Sequence, residues 1–259
     1  MKQKYVVVSL SGGKDSTAML LRMIELGEHI DEVVCCDTYK EFPAMYRHLA
    51  KLKAVVEQNG IKYTELRNKE SYDYLMFEKP RPNDKPIGRG WATFKIRWCT
   101  TELKKEVTRK YIKNLEEKHE IIQCLGIAFD EQYRLKRKNN QDERHRHPLV
   151  EWQWTEEMCL KYCYSKGYDW EGLYEIFDRV SCWCCPLKSF DELRKLRKHF
   201  HDLWDELQDM DCRANNRFKP DYSVAELEKR FAFEEERISQ GLSITNRDFY
   251  AELKKVLMQ

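Results

Sequence analysis

Two short stretches of this chain carry residue types whose spacing does chemistry. The first is Ser11-Gly12-Gly13-Lys14-Asp15-Ser16, which follows the apolar run Tyr5 to Leu10 and opens a helical pattern. Glycines let backbone N–H groups close on a phosphate, and the N-terminus of the next helix adds its positive dipole. The Ser11 and Ser16 hydroxyls can donate to the same anion, and Lys14 supplies a point charge. A tight strand-to-helix turn is the plainer use of such glycines, but this setting favours phosphate. The loop is not a Walker A motif, because Val8 stands where that motif needs glycine and Asp15 where it needs Ser or Thr.

The second stretch is Cys182-Trp183-Cys184-Cys185-Pro186. Thiolates two or three residues apart converge on one soft metal centre. Cys99, near Arg97, Lys104 and Lys105, is placed to be a thiolate as well. Cys99, Cys182, Cys184 and Cys185 together make four ligands, the number that a [4Fe–4S] cluster or tetrahedral zinc requires. Cys35, Cys36 and Cys124 fall in expected strands and read as small core residues, and Cys159 and Cys163 as packing on a helix.

The elements that must position these groups alternate. Strands are expected at Tyr5 to Leu10, Asp31 to Asp37, Ile61 to Leu66 and Ile121 to Ile127. Helices are expected at Asp15 to Leu26, Pro43 to Gln58 and Glu102 to Lys118. Such alternation means βαβ units and a parallel sheet, an α/β core over residues 1–150. From 151 to 259 the pattern is helical, at Thr155 to Ser165, Ser189 to Asp209, Val224 to Ser239 and Arg247 to Leu257, and this lobe bears the cysteine motif. Between core and lobe, Arg134 to His147 carries six Lys/Arg against two acids and reads as a mobile surface loop able to close on a phosphate-rich substrate or nucleic acid.

The loop SGGKDS resembles the pyrophosphate loop of the PP-loop superfamily, the adenine nucleotide α-hydrolases. Within it, Asp37-Thr38 followed by Glu41-Phe42-Pro43 is similar to a segment of the phosphoadenosine phosphosulfate reductase family, with Tyr39 where the family has glycine and Ala44 where it has glutamate. Arg97-Trp98-Cys99-Thr100 with Leu103-Lys104, then Gly126-Ile127-Ala128 with Glu131 and Arg134, then Pro148 to Trp152, resemble further family segments in the same order. The resemblance spans residues 5 to about 235. It implies an adenine nucleotide, ATP or an adenylyl sulfonucleotide, bound by Ser9, Ser11, Gly12, Gly13, Lys14, Asp15, Ser16, Asp37, Thr38, Gly126 and Arg137. Asp37 is alternatively a helix N-cap. Lys14, Asp15 and Arg134 are the expected catalytic groups, with Mg²⁺ bridging the phosphates and Asp15 near it. The resemblance also tips the four cysteines toward an iron–sulfur cluster, with zinc as the alternative. No cysteine follows Cys212, so the Glu-Cys-Gly tail of the thiol-dependent reductases has no counterpart in these residues.

The expected activity is therefore sulfur transfer or sulfonucleotide chemistry, with the sulfur donor and acceptor unassigned. Alternatives are an adenylating ligase or amidase-type enzyme with structural zinc, and a nucleotide-binding subunit of a DNA-modification or defence assembly. The 46 Lys and Arg nearly cancel the 44 Asp and Glu, so any nucleic-acid contact must be local. No window approaches the roughly 18 apolar residues that cross a bilayer, and the start of the chain lacks a secretory pattern, so a cytoplasmic protein is expected, with a homo-oligomer allowed.

Overall fold

The computed structural model describes residues 2–83, 85–136 and 142–258. Strands β1 (Gln3–Leu10), β2 (Glu32–Cys36), β3 (Lys62–Leu66), β4 (His119–Leu125) and β5 (His145–Arg146) form one parallel sheet in the order β3-β2-β1-β4-β5. The central place of β1 explains its composition. Paired on both edges and covered on both faces, Val7 and Val8 have no exposed surface, and the strand reads as an uninterrupted apolar run. The helices between the strands are α1 (Lys14–Glu25), α2 (Pro43–Gln58) and α3 (Glu106–Glu116), the last preceded by a wide π-type turn at Thr100–Lys105. After β5 come α4 (Pro148–Glu151), α5 (Glu156–Ser165), α6 (Leu173–Ile176), α7 (Phe190–His199), α8 (His201–Arg213), α9 (Val224–Ser239) and α10 (Arg247–Met258).

One face of the sheet is closed by α3. Val7, Val34, Leu66 and Ile121 from four strands pack with Ile112 of α3 into one apolar cluster. At its edge the fully buried Glu32 accepts from Tyr111 Oη at 2.6 Å, Tyr5 Oη at 3.2 Å and the Thr64 hydroxyl, and pairs with Lys62 Nζ at 3.0 Å. Burial would raise the pKa of this carboxyl, but the donors from Thr64, Tyr111 and Lys62 outweigh it and hold it below the usual range. A buried charge satisfied in this way ties α3 to β2 and β3.

The chain forms two compact units. The first takes residues up to Ser71 and Trp98–Cys182, the second Tyr72–Arg97 and the chain from Trp183 on. This differs from a single cut near residue 150. The segments after 150 belong to the sheet-bearing unit because α5 packs along α1, with Cys163 Sγ 3.5 Å from the Lys14 carbonyl. The second unit is held by α7 to α10 and by Trp91, whose indole N–H donates to Asp211 at 2.8 Å. Capping boxes start α7 (Ser189 with Glu192) and α9 (Ser223 with Glu226).

Two local expectations differ from the structure. The helix expected over 189–209 breaks at Phe200, whose backbone (φ −137°, ψ 65°) leaves the helical region with no Gly or Pro to mark it. Both ends of the expected loop at 134–147 take regular structure: Phe129–Lys136 is a 3₁₀ helix and His145–Arg146 is the edge strand β5. Among the described residues no helix is long and apolar enough to cross a membrane.

Ile121 of β4 belongs to the sheet–α3 cluster at 3% exposure. Ile121→Ala is expected to cost about 2–5 kcal/mol in chemical denaturation, by lost burial plus the cavity left behind. A cost below 1 kcal/mol, on the order of a surface change, would remove this cluster as the mainstay of the unit.

Candidate nucleotide-binding site

The end of β1 passes into α1 through Ser11, Gly12 and Gly13. Gly12 takes φ +79°, and a Cβ there would lie 2.7 Å from Met45 Sδ, so both conformation and space require glycine. The two serines brace the turn: Ser11 Oγ and Ser16 Oγ are 2.9 Å apart, Ser11 N donates to Ser16 Oγ at 3.1 Å, and Ser16 Oγ reaches the Gly13 carbonyl at 3.1 Å. Gly13 is the N-cap of α1 and offers no side chain to the first-turn N–H groups. An uncapped helix start is a ready anion site.

The loop is strapped from outside by residues 170–174. Trp170 Nε1 donates to the Gly12 carbonyl at 2.8 Å, and the Lys14 N–H donates to Tyr174 Oη at 2.9 Å. Trp170 and Glu171 sit in the left-handed region, at φ 50° and 54°. Such strain persists only where neighbours over-determine it. Here Trp170 also lies against His48, ring centroids 4.5 Å apart, and Glu171 accepts from Arg47 Nε at 2.7 Å. His48 in turn meets Thr17 Oγ1 at 3.0 Å, and burial lowers its imidazole pKa to about 4, so it is neutral in this packing.

A cavity of about 190 Å³ opens at the loop. Lys14, Arg134 and Arg179 face it, as do Asp15, Glu131 and Glu156, together with the Tyr174 ring. Lys14, nearly buried, is ion-paired with Glu156, and Arg134 with Glu131. Asp15 Oδ1 lies 4.0 Å from Lys14 Nζ and is buried without a hydrogen-bond partner. Burial pushes the Asp15 carboxyl up to about 6, against the pull of Lys14 and with help from Glu156, Glu131 and Asp130. Gly126 ends β4 against α1, where a Cβ would lie 2.8 Å from Ser16 Cα.

A second cavity of about 170 Å³ shares Ser11 and runs along Ser9, Leu10, Val34 and Cys36 to Lys104 and Thr108. Ser9 thus faces this cavity and not the first, and its hydroxyl accepts from Gln123 Nε2 at 2.8 Å. Cys36, expected in the core, is half-buried on the wall, its Sγ 3.1 Å from Thr108 Oγ1. Cys35, Cys124, Cys159 and Cys163 are buried, as expected of core thiols.

Asp37 is not a helix N-cap, since the N-cap of α2 is Phe42. Its buried carboxylate accepts from Tyr39 N at 2.7 Å and Tyr46 Oη at 2.9 Å and pairs with Arg67 Nε at 3.0 Å. These bonds shape the turn after β2, in which Tyr39 takes φ 66°, a conformation that favours glycine. Beside it, Thr38 Oγ1 donates to Glu41 Oε1 at 3.0 Å, Cys182 Sγ lies 3.4 Å from the same oxygen, and Lys104 Nζ lies 3.6 Å from it. Burial would lower the Lys104 pKa, yet Glu41 and the thiols of Cys182, Cys36 and Cys99 carry it above the usual lysine range.

None of the ten cysteines is in a disulfide. Cys99 and Cys182 belong to the first unit, Cys184 and Cys185 to the second. Among the described residues no group of three or more His, Cys, Asp or Glu side chains stands in a metal-holding arrangement. Arg137 lies outside the described residues. The sequence reading missed Glu156, Tyr174, Arg179 and the Glu41 partnership with Cys182. Only Arg179, just upstream of the cysteine motif, left a local trace.

Comparison with known proteins adds three findings. A model of the phosphoadenosine phosphosulfate reductase domain matches residues 5–188. Two uncharacterized proteins of Methanocaldococcus jannaschii are similar: MJ0066, 29% identical over 80% of this chain and 42% of that protein, and MJ0973, 22% identical over 93% and 51%. The chain therefore spans about half the length of these curated relatives. The U34-tRNA thiolase NcsA from Methanococcus maripaludis, solved with its [4Fe–4S] cluster, aligns with a TM-score of 0.42 at 15% identity, covering 81% of this chain and 71% of that one.

Two outcomes test this geometry. Folded Asp15 keeps its proton between its ordinary pKa of 3.8 and about 6, where the unfolded chain has released it, so this group takes stability away as pH rises through that window. Asp15→Asn is expected to gain up to about 3 kcal/mol on wild type between the two ends of the window in denaturation of the ligand-free protein; a pH-independent difference would refute the burial of Asp15. Gly126→Ala should cost about 1–3 kcal/mol through overpacking against α1. Unchanged stability would show that β4 and α1 can part freely.

Proposed function

Because the chain belongs to the phosphoadenosine phosphosulfate reductase domain family, we propose that it is an enzyme of sulfur chemistry that binds ATP or an adenylyl sulfonucleotide at the Ser11–Ser16 loop. The observation that carries this reading is the uncapped start of α1 opening into a cavity faced by Lys14, Arg134 and Arg179. The cavity shares Ser11 with the second one, so phosphates in the first and adenosine in the second would meet at the loop. Lys14 would exchange Glu156 for a phosphate oxygen, and Arg134 would exchange Glu131. Both acids hold the cations in place until the anion arrives. In the transition state these charges would stabilise the pyrophosphate leaving ATP, or the nucleotide phosphate released as a sulfo group passes to its acceptor.

A hard cation fits this cavity, because Asp15 Oδ1 is a buried oxygen without a partner. Asp15 with Glu131 would hold a Mg²⁺, which supplies charge neutralisation along the phosphates. Within the sheet-bearing unit, Cys99 and Cys182 are thiols whose donor chemistry suits a soft centre. Bound there, a [4Fe–4S] cluster would supply a thiophilic, redox-active site. Glu41 and Lys104 would orient the Cys182 thiol and carry charge between it and the nucleotide cavity.

Two measurements test the reading. ATP and adenylyl-sulfate titrations of wild type and Lys14→Ala should differ by roughly 10- to 100-fold in affinity, the loss expected for one charge-assisted contact; equal affinities would sink the loop assignment. Anaerobically purified protein should hold about four irons with matching sulfide per chain, lost in Cys182→Ser. One zinc and no sulfide would put the adenylating ligase in its place.

A further inference from the structure

One concavity of the sheet-bearing unit has most of its lining outside the cavities described above. It is a groove of about 720 Å³ between α3 on one side and β4, β5 and the residues just before β5 on the other. On the α3 side it presents Lys105, the N-cap of α3, with Arg109 and Lys113 of the helix, all exposed, and Arg144 faces them from the other wall. Among the described residues the acids on the lining are Glu106, paired with Arg109, and Glu116, paired with Arg144. Lys105 and Lys113 have no ion-pair partner among the described residues. Exposed lysines on a helix are ordinarily no more than a solvated face. Three features separate this one from that.

The first is spacing. Lys105, Arg109 and Lys113 follow one another at four-residue intervals, which places successive charges about 6 Å apart along one helix face. That matches the step between consecutive phosphates of an extended strand. The second is enclosure: the charges line a groove, not a convex surface, and its far wall carries a further arginine. The third is where the groove leads. It shares Ser9, Lys104 and Thr108 with the second cavity, and Lys104 reaches Glu41 Oε1, on which Cys182 Sγ also lies. An occupant of the groove therefore ends beside the nucleotide cavity and the Cys182 thiol.

We propose that the groove binds a single-stranded segment of nucleic acid, phosphates along Lys105, Arg109 and Lys113, and that this strand is the acceptor for the chemistry proposed above. The assignment of the strand as acceptor rests on that proposal; the binding of the strand does not. A small nucleotide would need one phosphate site, whereas a row of evenly spaced cations suits a polymer. The near-neutral whole chain makes the row a local feature and not part of a general basic field.

The test uses the full chain and short fluorescent single-stranded RNA and DNA of mixed sequence, with affinity followed against salt. Wild type is expected to bind, with affinity falling steeply as salt rises. The variant Lys105→Ala/Arg109→Ala/Lys113→Ala should lower the slope of log affinity against log salt by about 2, at ~0.7 per phosphate contact on a single strand. It should keep wild-type ATP affinity and circular dichroism. Lys14→Ala should do the reverse, losing ATP and keeping the strand. An unchanged slope in the triple variant, or no strand binding at low salt, would overturn the proposal. So would competition by polyglutamate as effective as that by the strand, which would mark the groove as a site for an acidic protein. Strand binding by a wild type that takes neither ATP nor adenylyl sulfate would leave the groove standing and remove the function proposed above.

Discussion

The site in the sheet-bearing unit depends on one constraint: β1 must turn into α1 within three residues, at a helix start whose N-cap residue offers no side chain. An uncapped helix start ordinarily invites a side chain to close it. Here Gly13 supplies none, and the turn is held from outside by the Trp170 indole on the Gly12 carbonyl and the Tyr174 hydroxyl on the Lys14 N–H. The left-handed backbone at Trp170 and Glu171, the neutral His48 under the Trp170 ring and the close seat of Gly126 on α1 all serve that turn. The packing of α5 along α1 serves it too, since α5 carries the Glu156 that meets Lys14.

The charges around the loop form pairs that an anion can divide. Lys14 with Glu156 and Arg134 with Glu131 leave a cavity that is nearly neutral and therefore stable without ligand. Asp15 is the exception, a carboxyl with one oxygen buried and unbonded. Buried groups of this kind are costly in the free protein and gain a partner when a cation arrives. Glu41 is the contrast, a carboxylate whose one oxygen is met by Thr38, Lys104 and Cys182.

Much of the fold was legible because its signals are local. The apolar run of β1, the proline that starts α2 and the Ser-x-x-Glu boxes that start α7 and α9 are each written within a few residues. The break at Phe200 was not legible, because no residue there forbids a helix. The boundary between units was not legible either. Its position after Cys182 follows from which helices touch α1, a contact across more than a hundred residues of chain.

The site divides in the same way. The sequence by itself determined the loop and its lysine, because covalent order fixes a strand, a glycine turn and a helix start within one stretch. Only the tertiary structure decided that Ser11 and Ser16 brace each other, and that Asp37 shapes a turn whose left-handed position is filled by Tyr39. It alone brought Glu156, Tyr174 and Arg179 to the loop and aligned Lys105, Arg109 and Lys113 along one groove. These residues hold no motif among themselves. Their meeting depends on how the chain returns across the sheet, which is set by the burial of faces remote from the site.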